Sequence, residues 1–185
     1  MPLRGRNNFT EERYFFVTTT VVRFLDIFAD TEICHILIRN IKFYQAKYKF
    51  NILAYVIMPS HFHWIIEIEP SLGTISNIMR DLKSHSSRDI LEYLSNEQKL
   101  QKIFKSEAAI KYKQKRKLWM DSFDDQVIRN PKMFWTKLTY IHQNPVEAGL
   151  VLRAEEYPFS SARNYAMQDH SILFVDTTQA GVIIS

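Results

Sequence analysis

Tyr55-Val56-Ile57-Met58-Pro59-Ser60-His61-Phe62-His63-Trp64-Ile65-Ile66-Glu67-Ile68 decides how this chain is read. One apolar run leads into Pro59-Ser60, a turn pair, and a second leads out of it. The pattern is strand, tight turn, strand. Side chains on a strand alternate between its faces. His61 and His63 therefore share one face, and Phe62 takes the other. Two imidazoles side by side on a rigid sheet make half of a divalent-metal site. The other half has to come from elsewhere in the chain.

Working outward, Arg13 to Val22 is β-branched and aromatic, which predicts a first strand. From about Asp30 to Tyr48, Ile33, Ile36, Leu37, Ile41, Tyr44 and Tyr48 fall at helical spacing, with Asp30 or Thr31 as a cap. The spacing from Ile75 to Leu94 predicts a second helix. Trp119 to Arg129 reads as a fourth strand, and Pro131 to Asn144 as a third helix with Pro131 in its first turn. The order strand, helix, strand, strand, helix, strand, helix implies an α+β fold. The expected form is a ferredoxin-like split β-α-β sandwich, one antiparallel sheet with helices on one face. A basic helical insertion (about 96–118) interrupts it. Between Lys99 and Lys117 eight Lys or Arg face the single acid Glu107. Ser160 to Tyr165 reads as a short helix, and the apolar Ile172 to Val175 and Val182 to Ser185 suit docking onto the body. The expected division is a domain over 1–165 and a C-terminal tail over 166–185.

The 185 residues, 46% apolar and 14% aromatic, suit one domain with a real core. A net charge of +4 and a pI of about 9.1 give a moderate basic bias. Cys34 is the only cysteine, which rules out an internal disulfide and a cysteine-based zinc site. No apolar stretch resembles a signal peptide or approaches the roughly 20 residues that span a bilayer. A cytoplasmic protein without a membrane partner is expected.

The second half of the site is sought in Tyr140-Ile141-His142-Gln143-Asn144-Pro145-Val146. Tyr140 and Asn144 lie four apart and share a helix face, while His142 points elsewhere. Pro145 should stop or kink the helix, leaving the Asn144 amide oxygen at its end. Asn144 also reads as the N-cap of a following helix, with Glu147 completing a capping box. A phenol is a poor nucleophile at neutral pH, with a pKa of about 10. A metal that polarises a phosphate compensates. Oxygen ligands beside imidazole suit magnesium or manganese, and imidazole also suits zinc.

These motifs together resemble the single-tyrosine transposases. His61-Phe62-His63 looks like their His-hydrophobic-His (HUH) motif, and Tyr140 to Val146 followed by Gly149-Leu150-Val151 looks like their catalytic helix. Trp119 to Phe123, Val127 to Asn130 and Tyr157 to Ser161 resemble the family too. The nearest branch is the REP-associated tyrosine transposases, over about Arg13 to Tyr165. The resemblance implies that Tyr140 attacks a single-stranded DNA phosphodiester, giving a 5′-phosphotyrosine and a free 3′-hydroxyl. It implies Mg²⁺ or Mn²⁺ held by His61, His63 and Asn144, and a hairpin DNA with a single-stranded flank. Members act as monomers or homodimers. Lys83, Arg88, Lys111, Lys113, Lys115, Arg116, Lys117, Trp119 and Lys137 are the candidate DNA contacts, with Tyr112 and Trp119 interleaving the charges for stacking. Two other expectations are a domesticated protein that binds hairpin DNA or RNA without cutting, and a zinc or iron enzyme using the same histidines.

Overall fold

The computed structural model describes residues 12–108 and 115–178. Alternation along the strands builds the molecule. In β1 (Tyr14–Thr20), Phe15 and Val17 enter one core cluster and Phe16 enters another. In β3 (His61–Glu67), Phe62, Trp64 and Ile66 join the first cluster and Ile65 joins the second. With β2 (Asn51–Met58) and β4 (Asp124–Val127) these strands form one four-stranded sheet in the order β2-β3-β1-β4. Every neighbouring pair is antiparallel. β4 is shorter than expected from Trp119 to Arg129. Trp119 forms only an isolated bridge to Val21.

Helix α1 (Thr31–Tyr48) links β1 to β2, and α2 (Ile75–Tyr93) links β3 to β4. This is the split β-α-β arrangement. Asp30 caps α1 by accepting from the Glu32 N–H at 2.9 Å. Thr74 caps α2 by accepting from the Asn77 N–H at 3.2 Å. Both helices pack on the first cluster, where Ile33, Leu37, Ile41, Ile78, Met79 and Leu82 are buried. Tyr48 fastens the pair, its hydroxyl donating to Asp81 at 2.7 Å.

The expectation of helices on one face holds for α1 and α2 and is corrected for α4 (Pro131–Glu147). That helix covers the opposite face, where Phe134, Leu138 and Ile141 pack on Phe16, Val56 and Ile65. Its stripe at positions 134, 138 and 141 needs an apolar surface, and the second face of the sheet supplies one. Full burial of each such side chain contributes about 1.5–3 kcal/mol.

The basic segment contains a helix, α3 (Gln98–Ser106), which docks through the fully buried Phe104. Gln101 and Arg116 tie it to α2 by donating to the Leu91 carbonyl at 3.4 and 3.1 Å. After α4 the chain runs along β2. Ile57 N–H donates to Phe159 O and Ser161 N–H to Tyr55 O, both at 2.9 Å. Helix α5 (Ala162–Met167) follows. Leu173 and Val175 are then buried in the first cluster, as the apolar run from Ile172 suggested. Val182 to Ser185 lie outside the described residues. Among the described residues no helix is long and apolar enough to cross a membrane.

Trp119 corrects a sequence expectation. Its place among the charges suggests stacking on bases, but it is only 5% exposed. Its ring stacks on Phe28 with centroids 5.6 Å apart, and its indole N–H donates to Ser86 Oγ at 3.1 Å. Apolar contact and a satisfied donor favour burial over display. Trp119→Ala should therefore destabilise the fold by about 3–5 kcal/mol, read as a lower midpoint in urea.

Candidate active site

The site lies on the second face of the sheet, at the end where β3 begins. The β1–β3 register pairs Thr18 with His63 and Thr20 with His61. The His61 and His63 rings lie 4.7 Å apart between centroids, on one face as the alternation required. Thr18 Oγ1 sits 2.7 Å from His63 Nδ1, and Ser60 Oγ sits 3.1 Å from His61 Nδ1. Each histidine thus has one ring nitrogen engaged by a hydroxyl, which orients the ring. Phe16, two residues before Thr18, stacks on His63 at 5.6 Å.

Helix α4 brings Tyr140 onto this surface. The Tyr140 hydroxyl approaches His63 Nε2 at 3.4 Å, and the two rings lie 5.2 Å apart. Tyr140 is 43% exposed, so its hydroxyl borders both the imidazole and solvent. Lys137, one turn earlier, carries its ammonium over the Phe16 ring at 4.5 Å. Burial first, then the charges of His61 and Lys137, push His63 down to about 3. Burial also lowers His61, while the Asp26 carboxylate works in the opposite direction. His63 therefore stays neutral at physiological pH and keeps a lone pair for a proton or a metal.

Asn144 shares the Tyr140 face one turn on, but its backbone differs from the expectation. The helix neither stops nor restarts at Pro145. Asn144 O accepts from the Ala148 N–H at 3.0 Å, so Asn144 is helical and caps nothing. Pro145 sits buried in the last turns, followed by a Schellman ending. Gly149 N–H donates to Val146 O and Leu150 N–H to Pro145 O, both at 2.9 Å. Gly149 has φ +69°, the left-handed conformation this ending needs. His142 points away from the site, as expected. It lies 2.9 Å from Ser161 Oγ, and Ser161 Oγ accepts from the Tyr55 N–H at 3.0 Å. That chain ties α4 to β2 behind Tyr140.

Among the described residues, no cluster of three His, Cys, Asp or Glu side chains could hold a metal. A zinc or iron site completed by a third residue of that kind has no support there. The donors the structure brings together are the His61 and His63 imidazoles, a ligand type that suits several divalent metals, and Asn144 follows Tyr140 by one turn on α4.

The candidate DNA contacts divide. Lys83 donates to Met120 O at 2.7 Å and Ser122 O at 3.1 Å. Arg116 donates to Leu91 O and to Gln101 Oε1 at 3.0 Å. Lys117 pairs with Asp121 at 2.6 Å. These three cations brace the fold, because half-buried charges need partners. Among the described residues Arg88 is exposed and pairs with its neighbour Asp89, and Lys115 is exposed. Lys111, Lys113 and Tyr112 lie outside the described residues. Sequence reasoning missed Thr18 and Phe16. The run Thr18-Thr19-Thr20 was visible, but which threonine faces His63 depends on strand register.

Residues 10–144 match the family described as "Transposase IS200 like". This chain belongs to that family. A REP-associated tyrosine transposase of Escherichia coli (strain K12) is 27% identical over 112 residues, covering 60% of this chain and 54% of the relative. A relative from Haemophilus influenzae is 25% identical over 114 residues, covering 62% of this chain and 60% of its own. The matched region thus spans between half and two thirds of these relatives. The solved structure of a REP-associated tyrosine transposase bound to a REP hairpin superimposes with a TM-score of 0.64. It covers 90% of this chain and 88% of its own, and at 22% identity the likeness is one of fold.

Two checks follow. Thr18→Val should leave His63 Nδ1 unpartnered, costing about 1–3 kcal/mol in a urea melt. The depressed values of His63, about 3, and His142, about 4, fix the sign of a pH effect. Below the ordinary histidine value of 6.5, the unfolded chain takes up protons that the folded chain refuses. Stability should be fully present above about pH 6.5 and fall progressively as pH drops toward 4. Thermal melts across that range measure it.

Proposed function

We propose that this chain is a transposase that cuts and rejoins single-stranded DNA through a covalent bond to Tyr140. The approach of the Tyr140 hydroxyl to 3.4 Å from His63 Nε2, within one chain, carries this reading. In this chemistry Tyr140 Oη attacks the phosphorus. A new O–P bond forms and the P–O3′ bond breaks, leaving a 5′-phosphotyrosine and a free 3′-hydroxyl. The phenol loses its proton as the bond forms, and the departing 3′-oxygen takes one up. The covalent link conserves the energy of the broken ester, so an incoming 3′-hydroxyl can reverse the step without ATP.

His61, His63 and Asn144 are the residues that would hold Mg²⁺ or Mn²⁺. Bound there, the cation supplies Lewis-acid polarisation of the phosphoryl oxygens. The protein's part is to keep both imidazoles neutral and aimed. Thr18 Oγ1, 2.7 Å from His63 Nδ1, holds the ring so that Nε2 faces Tyr140. Lys137, its ammonium 4.5 Å over the Phe16 ring that stacks on His63, supplies a positive charge for the phosphate. Arg88, Lys111, Lys113 and Lys115 serve as outlying phosphate contacts. We assign the catalytic unit to residues 1–165, with the basic segment near 96–118 as its DNA-facing insertion and 166–185 as a tail. Family membership and the hairpin-bound relative support hairpin DNA with a single-stranded flank as the substrate. Both halves of the site come from one chain, which supports a monomer as the working unit.

With such a hairpin and Mn²⁺, the wild-type protein should give a protein–DNA adduct stable to denaturing gels. Tyr140→Phe should abolish the adduct and leave DNA affinity within about twofold, since one exposed hydroxyl contributes little to binding. An undiminished adduct in that variant overturns the assignment. His61→Ala should bind DNA but lose metal-dependent cleavage.

A further inference from the structure

The turn after β1 runs Val21-Val22-Arg23-Phe24-Leu25-Asp26. Val21 and Val22 are buried, but Arg23 and Phe24 adopt φ of +54° and +52°. Bulky L-residues rarely enter this region, and two in succession persist only where the surroundings impose them. Here the surroundings do. Val21 N–H donates to Ser60 O at 2.9 Å and Val22 N–H to Leu118 O at 2.8 Å. Arg23 Nε donates to Glu107 Oε1 at 2.7 Å. The imposed conformation leaves Phe24 64% exposed.

Other exposed phenylalanines have company. Phe43 sets its ring edge-on to Tyr44 at 5.1 Å, and Phe174 stacks on His170 at 5.0 Å. Phe24 has no ring partner among the described residues. Its turn also borders the site. Ser60, which binds Val21, precedes His61, and Phe28 N–H donates to Pro59 O at 2.9 Å. Through Arg23, the turn joins the end of α3. There Lys102, Lys105 and Lys115 line a concavity of about 580 Å³ and are in no ion pair among the described residues. An exposed ring on a surface that also carries unpaired cations is the combination that grips unpaired nucleotides.

We propose that Phe24 is a stacking platform for an unpaired base of single-stranded DNA lying beside His61. This rests on the DNA reading above and extends it to a residue outside the reacting groups. The ring contributes a π-face, so the contact tolerates any base, and the lysines beyond it take phosphates.

The test compares wild type, Phe24→Ala and Phe24→Trp by fluorescence anisotropy on two DNAs, a hairpin with a single-stranded flank and the same hairpin without it. A 2-aminopurine in the flank reports stacking by quenching. Phe24→Ala should bind the flanked hairpin about tenfold more weakly. It should bind the flankless one unchanged, quench less, and melt at the wild-type temperature. Phe24→Trp should retain affinity. Unchanged binding of the flanked hairpin by Phe24→Ala overturns the inference, as does an equal loss on both DNAs. The Tyr140 adduct is scored in the same wild-type samples. An adduct with unaltered Phe24→Ala binding removes only the stacking role. A flank-specific loss without any wild-type adduct keeps it and removes the catalytic reading.

Discussion

The antiparallel pairing of β1 with β3 is the constraint on which the rest depends. It sets Thr18 opposite His63 and Thr20 opposite His61. A slip of one residue would turn every side chain of β3 to the other face. His61 and His63 would then enter the layer under α1 and α2, and Phe62 and Trp64 would face α4. The register is held because both faces of β3 are buried by different partners. Trp64 and Phe62 fill one layer, and Ile65 fills the other. Burial on both sides gives the central strand little freedom to shift.

The second face then does two jobs with one helix. Phe134, Leu138 and Ile141 seal it, and Tyr140 comes to its rim. The same packing that stabilises α4 sets the distance from Tyr140 to His63. His142 and Ser161 support this from behind by tying α4 to the segment that pairs with β2. The price is paid by the imidazoles, which lose solvent and are held neutral. That state is the one a metal ligand or a proton acceptor needs.

Much of the fold was legible in particular residues. The Pro59-Ser60 turn, the alternation through His61-Phe62-His63 and the apolar stripe of α1 fixed element types and their order. Tyr140 and Asn144 were legible as a shared helix face. The failures have physical causes. Pro145 reads as a stop or kink, yet the helix runs on to Glu147: only the Ile141 carbonyl loses its donor, Asn144 O keeps the Ala148 N–H, and Gly149 supplies the true ending. Trp119 was read with the charges around it, but an aromatic ring among lysines in sequence can still turn inward in space. Lys83 and Arg116 looked like free cations because their carbonyl partners lie far along the chain.

By itself the sequence determined which residues could do chemistry and which of them share a local face. Those are properties of periodicity, which acts within one strand or helix. Only the tertiary structure decided that α4 crosses to the second face, that Thr18 rather than Thr19 or Thr20 meets His63, and that Phe24 stands exposed on a left-handed turn. These depend on strand register and on contacts between segments distant in sequence. No local pattern encodes them, because each is settled by which surfaces remain to be buried once the sheet has formed.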